Sequence, residues 1–132
     1  TYARTGQPSP TTLLLMPAAR RDFFLTVQHG QFYQGKPVIG YDLPGFGDEL
    51  CGLPYLPRLI AKARAKLVGS MGDDIIYCCE NDRRFFRDHG NIHPADFLRV
   101  VWAAGDSDPK VYDYVRQRTL SVSSAVPDNE QM

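Results

Sequence analysis

After residue 54 the chain alternates short amphipathic segments with residues that begin and end helices, and this alternation is the strongest constraint on its fold. Pro57 lies near the start of the first segment and Gly69 follows it, which predicts a helix at about residues 55–68. The same signals predict three further helices: from Asn81 or Asp82 to Gly90, from Pro94 to Gly105, and from Ser107 or Asp108 with Pro109 onward. Because the turns between them are short, we expect a mainly α fold, a compact bundle of about four short helices.

The first fifty residues lack this regularity, because prolines and glycines repeatedly interrupt the apolar pattern. The segment "DFFLTVQ" is rich in aromatic and β-branched residues, and an extended pattern resumes after Gly30, which together indicate a short β-hairpin. A helix that begins at Pro17 and runs through "AARRDFFL" is the alternative. The predicted organisation is an irregular N-terminal arm with a possible hairpin at 1–50, a helical domain at 51–119 and a flexible tail at 120–132.

The overall charge gives the chain no general attraction to nucleic acid or to an anionic membrane. Its 132 residues include 15 basic and 15 acidic residues, and 43% are hydrophobic, which is enough for one core. No apolar run approaches the roughly eighteen residues that cross a bilayer, and no secretory signal is evident. An odd number of cysteines, Cys51, Cys78 and Cys79, indicates free thiols. We therefore expect a cytoplasmic protein, which could include the cytoplasmic face of a membrane complex.

The first predicted helix concentrates positive charge. The stretch "LPYLPRLIAKARAKLVGS" contains four basic residues and no acidic residue. At about 100° per residue, Arg58, Lys62 and Lys66 lie within about 80° of one another, beside the apolar stripe that faces the core. We call this row of three the basic ridge. Like charges four residues apart destabilise a helix by about 0.2–0.5 kcal/mol per pair, and the helix dipole favours Lys66 alone, so helix stability does not explain the ridge.

Two explanations of the basic ridge stay open. In the first, it is a solvated face that pairs in part with acidic residues of the next helix, namely Glu80, Asp82 or Asp88. In the second, it binds an acidic protein surface, or a phosphate-bearing ligand at the N-terminus of the helix that starts near Asp82. Asp82 would also cap that helix and occupy the same N–H donors, which favours the protein partner. The candidate residues for binding a partner or anion are Arg58, Lys62, Lys66, Arg83 and Arg84.

Three ordered motifs resemble a known family. They are "CGLPYLPRLIAKARAKLVGS", "YCCENDRRFFRDHG" and a helix opening near "HPADFL", and together they resemble the bacterial domain of unknown function 5069 (DUF5069) over about residues 51–118. The matching positions are Arg58, Lys62, Arg64, Gly69, Asp82, Arg83 and Phe85. The resemblance implies a small helical domain and supplies no activity, since the family has none assigned. The longer N-terminal segment departs from the family's pattern and leaves open a role particular to this chain.

Cysteines and histidines near residues 78–93 raise the question of a metal site. Thiolates and imidazoles are the ligands that zinc prefers, and Cys78, Cys79, His89 and His93 occur within this short stretch. Their spacing is unsuitable, because adjacent cysteines point in divergent directions and the two histidines straddle a predicted turn. We therefore expect neither a metal site nor a cofactor.

The same cysteines support the best enzymatic hypothesis. Cys78 and Cys79 precede a helix start that carries Arg83 and Arg84, and His89 on that helix is a possible base. No orienting or oxyanion-binding motif accompanies them, so structural thiols are favoured and no catalytic residue is assigned.

The chain lacks the usual motifs of dinucleotide, nucleotide, hydrolase and metalloprotease sites. The sequence therefore favours a non-enzymatic accessory subunit that docks onto a larger complex through the basic ridge and the N-terminal arm. A membrane-bound electron-transfer assembly is one such complex. The alternatives are a small thiol-dependent or anion-handling enzyme, and a weak nucleic-acid binder that forms no stable complex.

Overall fold

The computed structural model of the chain describes the backbone of residues 10–125 and the side chains of residues 14–121. Within that range the structure is mainly α with one small antiparallel hairpin, which confirms the predicted fold class. Its helices are α1 (Pro10–Thr26), α2 (Leu56–Val68), α3 (Glu80–Asp88), α4 (Pro94–Ala104) and α5 (Asp108–Ala125). The hairpin pairs β1 (Glu49–Leu50) with β2 (Leu53–Pro54), and a short 3-10 helix covers Gly40–Asp42.

The N-terminal region differs from its favoured prediction. The hairpin lies at residues 49–54, whereas residues 22–26 of the expected hairpin belong to α1. The alternative helix is present, but it begins at Pro10 and holds Pro17 in its interior. A proline inside a helix costs about 3 kcal/mol. Burial of Met16 and Ala19 in the core, where α1 packs against α2 and α4, offsets that cost.

The four helices predicted after residue 54 are all present. α2 ends just before Gly69, whose φ of +85° is the left-handed conformation that glycine adopts without strain and whose N–H donates to the Ala65 carbonyl at 2.9 Å. α5 continues to Ala125, so residues 120–125 of the predicted flexible tail are helical. The rest of that tail and the first nine residues of the arm lie outside the described range.

Helices α2 and α4 form the centre of the bundle, because each packs against the other and against both α1 and α5. The largest fully buried apolar side chains are Phe86, Phe97, Leu56, Leu59, Ile60, Leu67, Ile92, Leu98, Val111 and Val115. Burying one such side chain contributes roughly 1.5–3 kcal/mol. In the described part of the chain, no helix has the length and apolar character that spanning a bilayer requires.

Candidate functional site

Lys62 of α2 and Asp82 of α3 form an ion pair inside the protein. The Lys62 Nζ atom lies 2.8 Å from Oδ2 and 3.0 Å from Oδ1 of Asp82, and the two side chains are 5% and 0% exposed. Lys62 therefore pairs with Asp82, as the first explanation of the basic ridge allowed, but it is buried and does not form part of a solvated face. Its position beside the apolar stripe brings it under the segment that precedes α3, and a buried ammonium group requires a paired charge there.

The carboxylate of Asp82 accepts three further hydrogen bonds. The Tyr55 hydroxyl donates to Oδ1 at 2.5 Å, and the backbone N–H groups of Cys78 and Cys79 donate to Oδ2 at 2.8 and 3.3 Å. Asp82 thus holds the start of α3 from its third position, as the acidic residue of a capping box does. These two amides are engaged by the chain's own carboxylate and are not available to an anionic ligand.

Two of these partners have unusual backbone conformations. Tyr55 has φ of +75° and Cys78 has φ of +71°, a region that costs non-glycine residues about 1–3 kcal/mol each. The pKa of Tyr55 is raised well above its usual value, mainly by burial and secondly by the hydrogen bond to Asp82. The hydroxyl therefore stays protonated and donates at neutral pH. Asp82 therefore joins the junction before α2 to the loop before α3 through two strained residues.

Arg58 lies one turn before Lys62 on α2 and stays at the surface. Its Cζ atom lies 4.2 Å from the centre of the Phe46 ring, and its Nη1 donates to the Pro44 carbonyl at 3.0 Å. Its Nε is buried and has no hydrogen-bond partner. Among the described side chains, no carboxylate pairs with Arg58, so its charge is held by an aromatic ring and a carbonyl and is not neutralised.

Lys66, the third residue of the basic ridge, is half-buried near the end of α2. Burial lowers its pKa, and the nearby positive charge of Arg20 lowers it further. Arg20 Nε donates to the Lys66 carbonyl at 3.0 Å and so satisfies a terminal carbonyl of α2. The two cations line a cavity of about 300 Å³ that does not include Arg58 or Lys62. The basic ridge is therefore not one continuous surface.

The two predicted arginines of α3 also have separate contacts. Arg83 donates from Nη1 to the Cys78 carbonyl at 2.8 Å and supports the loop before the helix. Arg84 pairs with Glu80 at 3.3 Å on the exposed face of α3. An exposed pair of this kind contributes about 0.3–0.5 kcal/mol. Of the five predicted residues, the structure brings only Arg58 and Lys62 to the same cavity, within the described part of the chain.

That cavity, of about 200 Å³, opens beside the ion pair, and Phe46, Ile76 and Cys79 also line it. Phe46 and Ile76 are 57% and 67% exposed. We call Phe46 and Ile76 the apolar rim. These two exposed side chains share one cavity with Arg58, and neighbouring exposed apolar side chains of this kind are a feature of interaction sites.

The cysteines of the thiol hypothesis are not equivalent. Cys78 is buried, and burial raises its pKa to about 11, so it stays a neutral thiol at neutral pH. Cys79 is the N-cap of α3, is half-buried, and has its Sγ 3.4 Å from the Lys62 Nζ. Within the described side chains, no three His, Cys, Asp or Glu residues are grouped in a way that could hold a metal ion.

Sequence reasoning missed a third thiol site at the hairpin. Exposed Cys51 forms the hairpin turn with Gly52, and both have positive φ, +52° and +82°. It lines a cavity of about 220 Å³ together with His89 and Arg116. The signal for this turn was the pair Cys51-Gly52, which is weaker than the Asn-Gly pair typical of such turns.

His89 is oriented by its own helix. Its Nδ1 lies 2.8 Å from the Phe85 carbonyl oxygen, and its ring stacks on the Phe85 ring with the centres 4.1 Å apart. Because a carbonyl accepts, Nδ1 must donate, which leaves Nε2 as the nitrogen that can accept a proton. The sequence placed this base beside Cys78 and Cys79, whereas the structure places it in the cavity of Cys51.

Comparison with known proteins identifies one family. The family described as domain of unknown function (DUF5069) matches residues 47–126, which is more than half of the chain. The matched region contains the hairpin and helices α2 to α5, and therefore the whole hydrogen-bond network of Asp82; α1 lies outside it. Neither curated proteins nor solved structures yield a match.

Proposed function

We propose that this chain, which belongs to the DUF5069 family, is a non-enzymatic accessory domain that docks onto an acidic surface of a larger protein complex. One observation carries the proposal: the apolar rim lies beside Arg58, whose charge is not neutralised by any described carboxylate. Arginine and aromatic residues are enriched at the energetic centres of protein interfaces. Exposed Phe46 and half-buried Arg58 are the residues on which we expect binding to depend most.

The docking surface differs from the one predicted by helical angles. Asp82 compensates the charge of Lys62, so the three residues of the basic ridge cannot bind one acidic surface together. The ion pair instead helps to position the wall of the cavity, because Tyr55 donates a hydrogen bond to Asp82 and lines the cavity together with Phe46. The N-terminal arm contributes a helix packed on the bundle, and wrapping of a partner by residues 10–26 is not part of the proposal.

The partner we propose presents carboxylates together with an apolar side chain. A carboxylate would meet the guanidinium of Arg58, and the apolar group would cover Phe46 and Ile76. Charge steering of this kind raises the association rate and weakens with salt. The cytoplasm remains the proposed location, since the three cysteines are free thiols. A membrane-bound electron-transfer assembly is one complex that could contain such a partner.

Site-specific photo-cross-linking tests this proposal. A photoreactive phenylalanine analogue at position 46 should cross-link to an acidic protein in cells of the native source and at low ionic strength in extracts. The control site for the same analogue is position 120, because Leu120 is 53% exposed and lies on α5, outside the cavity lined by Phe46 and Arg58. Arg58→Glu should abolish the cross-link, and Lys110→Glu, at another exposed cation, should leave it unchanged. Equal labelling from positions 46 and 120 would refute the proposal.

A second candidate function is thiol chemistry at Cys51, which one observation favours: its cavity also contains His89 and Arg116. His89 can take the thiol proton through Nε2, and Arg116 can hold an anionic group of the reactant. This keeps the thiol-dependent alternative but moves it from Cys78 and Cys79 to the hairpin.

The rate of disulfide exchange tests the second candidate. In a Cys78→Ser/Cys79→Ser background, an anionic aromatic disulfide and a neutral aromatic disulfide are compared as reactants. We expect Arg116→Gln to slow only the anionic reagent, and His89→Gln to slow both at neutral pH. If neither substitution changes the rate with either reagent, thiol chemistry at Cys51 is excluded. The nucleic-acid alternative stays a prediction, tested by a binding titration at low salt.

A further inference from the structure

We propose that Cys79 is an oxidation site whose sulfenic acid condenses with Lys62 to form a sulfur–nitrogen bond between α3 and α2. The Cys79 Sγ lies 3.4 Å from the Lys62 Nζ, and both residues line the open cavity of about 200 Å³ beside the apolar rim. Hydrogen peroxide, the oxidant we name, is small enough to enter that cavity. The inference does not rest on the docking proposal, because it concerns chemistry within the chain.

Among the three cysteines, only Cys79 combines access with a described amine contact. Cys78 is buried and does not line this cavity, so peroxide that enters the cavity does not reach it. Cys51 is exposed at the hairpin, on the wall of a different cavity. The Lys62 ammonium group stands beside Cys79 because Asp82 holds it there with two short contacts of 2.8 and 3.0 Å.

The first step is oxidation of the thiol. The Cys79 sulfur attacks one oxygen of hydrogen peroxide, so a sulfur–oxygen bond forms and the oxygen–oxygen bond breaks. The thiol proton joins the departing hydroxide, which leaves as water. The products are the sulfenic acid of Cys79 and one water molecule.

The second step consumes no further oxidant. Lys62 begins as an ammonium group with three protons, and one passes to the Asp82 carboxylate, which frees the nitrogen lone pair. The nitrogen then attacks the sulfur, the sulfur–oxygen bond breaks, and the departing hydroxide takes a second proton from nitrogen and leaves as water. The nitrogen keeps the third proton in the sulfenamide. The flexible lysine side chain supplies the movement from contact to bonding distance.

The buried environment favours the neutral products of this reaction. A buried ion pair is converted into a neutral sulfenamide and a neutral carboxylic acid, so no charge is left buried without a partner. Tyr55 and the Cys78 amide keep the Asp82 carboxylate oriented toward the nitrogen while it takes up the proton. The new bond would tie α2 to the start of α3 in the wall of the cavity, and thiol reductants would reverse it.

Mass spectrometry of the full chain treated with hydrogen peroxide tests the proposal. We expect a cross-linked pair of peptides joining Lys62 to Cys79, lighter than their sum by two hydrogen atoms, with trypsin no longer cleaving after Lys62. Dithiothreitol should restore the separate peptides. Adding dimedone during oxidation should trap the sulfenic acid and reduce the cross-link severalfold.

Three cysteine variants serve as matched controls. Cys79→Ser, which retains a good N-cap for α3, should give no cross-link, whereas Cys78→Ser and Cys51→Ser should give the wild-type yield. Each of two results would overturn the proposal: oxidation of Cys79 to sulfinic acid without any bond to Lys62, or a disulfide between Cys78 and Cys79 in its place.

Discussion

Arg58 and Lys62 lie one turn apart on α2, yet they belong to two different environments. Lys62 is enclosed with Asp82 and receives a full set of polar contacts, whereas Arg58 rests on an exposed aromatic ring and keeps its charge. Helical geometry separates them by about 40°, which is too little to account for this contrast. The difference lies in what covers each residue: the start of α3 covers Lys62, whereas Arg58 contacts only the loop residues Pro44 and Phe46 among the contacts described above.

A run of like charges on one helix face therefore need not form one surface. The Lys62 side of the run pairs with Asp82 inside the fold, and we propose that the Arg58 side binds a partner. If this division is correct, substitutions around Lys62 change stability far more than those around Arg58. Four predictions follow this order of expected effect.

The largest effect is expected from Asp82→Ala. Removing the carboxylate leaves a buried ammonium group without its partner, which costs about 3–5 kcal/mol of unfolding free energy. Urea or thermal denaturation measures it. Glu80→Ala, which breaks the exposed pair with Arg84, is the control and should cost no more than about 0.5 kcal/mol. Similar losses in both variants would show that the buried pair of Lys62 and Asp82 stabilises the fold no more than the exposed pair of Arg84 and Glu80 does.

Tyr55→Phe should give the next largest loss. It removes one hydrogen bond to a buried carboxylate and keeps the same backbone strain, at a cost of about 1.5–3 kcal/mol. The measurement is again the free energy of unfolding. In Tyr33→Phe, where an exposed hydroxyl bonds to the Lys36 carbonyl, we expect a change within about 0.5 kcal/mol. A neutral Tyr55→Phe would show that Asp82 is satisfied without this hydroxyl.

Alkaline pH should lower the free energy of unfolding through ionisation of the buried Cys78. The Cys78 pKa is raised from 9.0 to about 11 on folding, so its stabilising effect is complete below pH 9 and is lost as pH rises toward 11. Between these values the folded state loses up to about 1.4 kcal/mol per pH unit from this group. Unfolding measured across this range should be less pH-dependent in Cys78→Ala. An identical slope in both proteins would show that Cys78 ionises freely in the folded state.

The smallest effect on stability is expected from Arg58→Gln. The variant loses a cation–π contact of about 0.5–1 kcal/mol and keeps the fold, while docking to an acidic partner is lost. Stability and partner cross-linking from position 46 are measured on the same preparation. A loss of several kcal/mol, equal to that of Asp82→Ala, would place Arg58 among the residues that hold the fold together.

Much of the helical part could be predicted from the sequence, because its signals are local. Pro57 and Gly69 mark the two ends of α2, and Pro94 and Gly105 mark those of α4, through backbone conformations that depend on neighbouring residues alone. The thiol site at Cys51 could not be found this way. His89, which follows α3, and Arg116 of α5 reach the hairpin from distant parts of the chain, so their proximity exists only after the bundle has packed.

By itself, the sequence determined the mainly α fold, the approximate bounds of α2 to α4, the start of α5 and the similarity to the DUF5069 family. Only the tertiary structure decided that residues 10–26 form a helix despite Pro17, and that Lys62 is enclosed while Arg58 is not. The physical reason is the range of the interactions. Helix ends depend on hydrogen bonds between near neighbours, whereas burial of a charge depends on a carboxylate twenty residues away and on the segment that covers both.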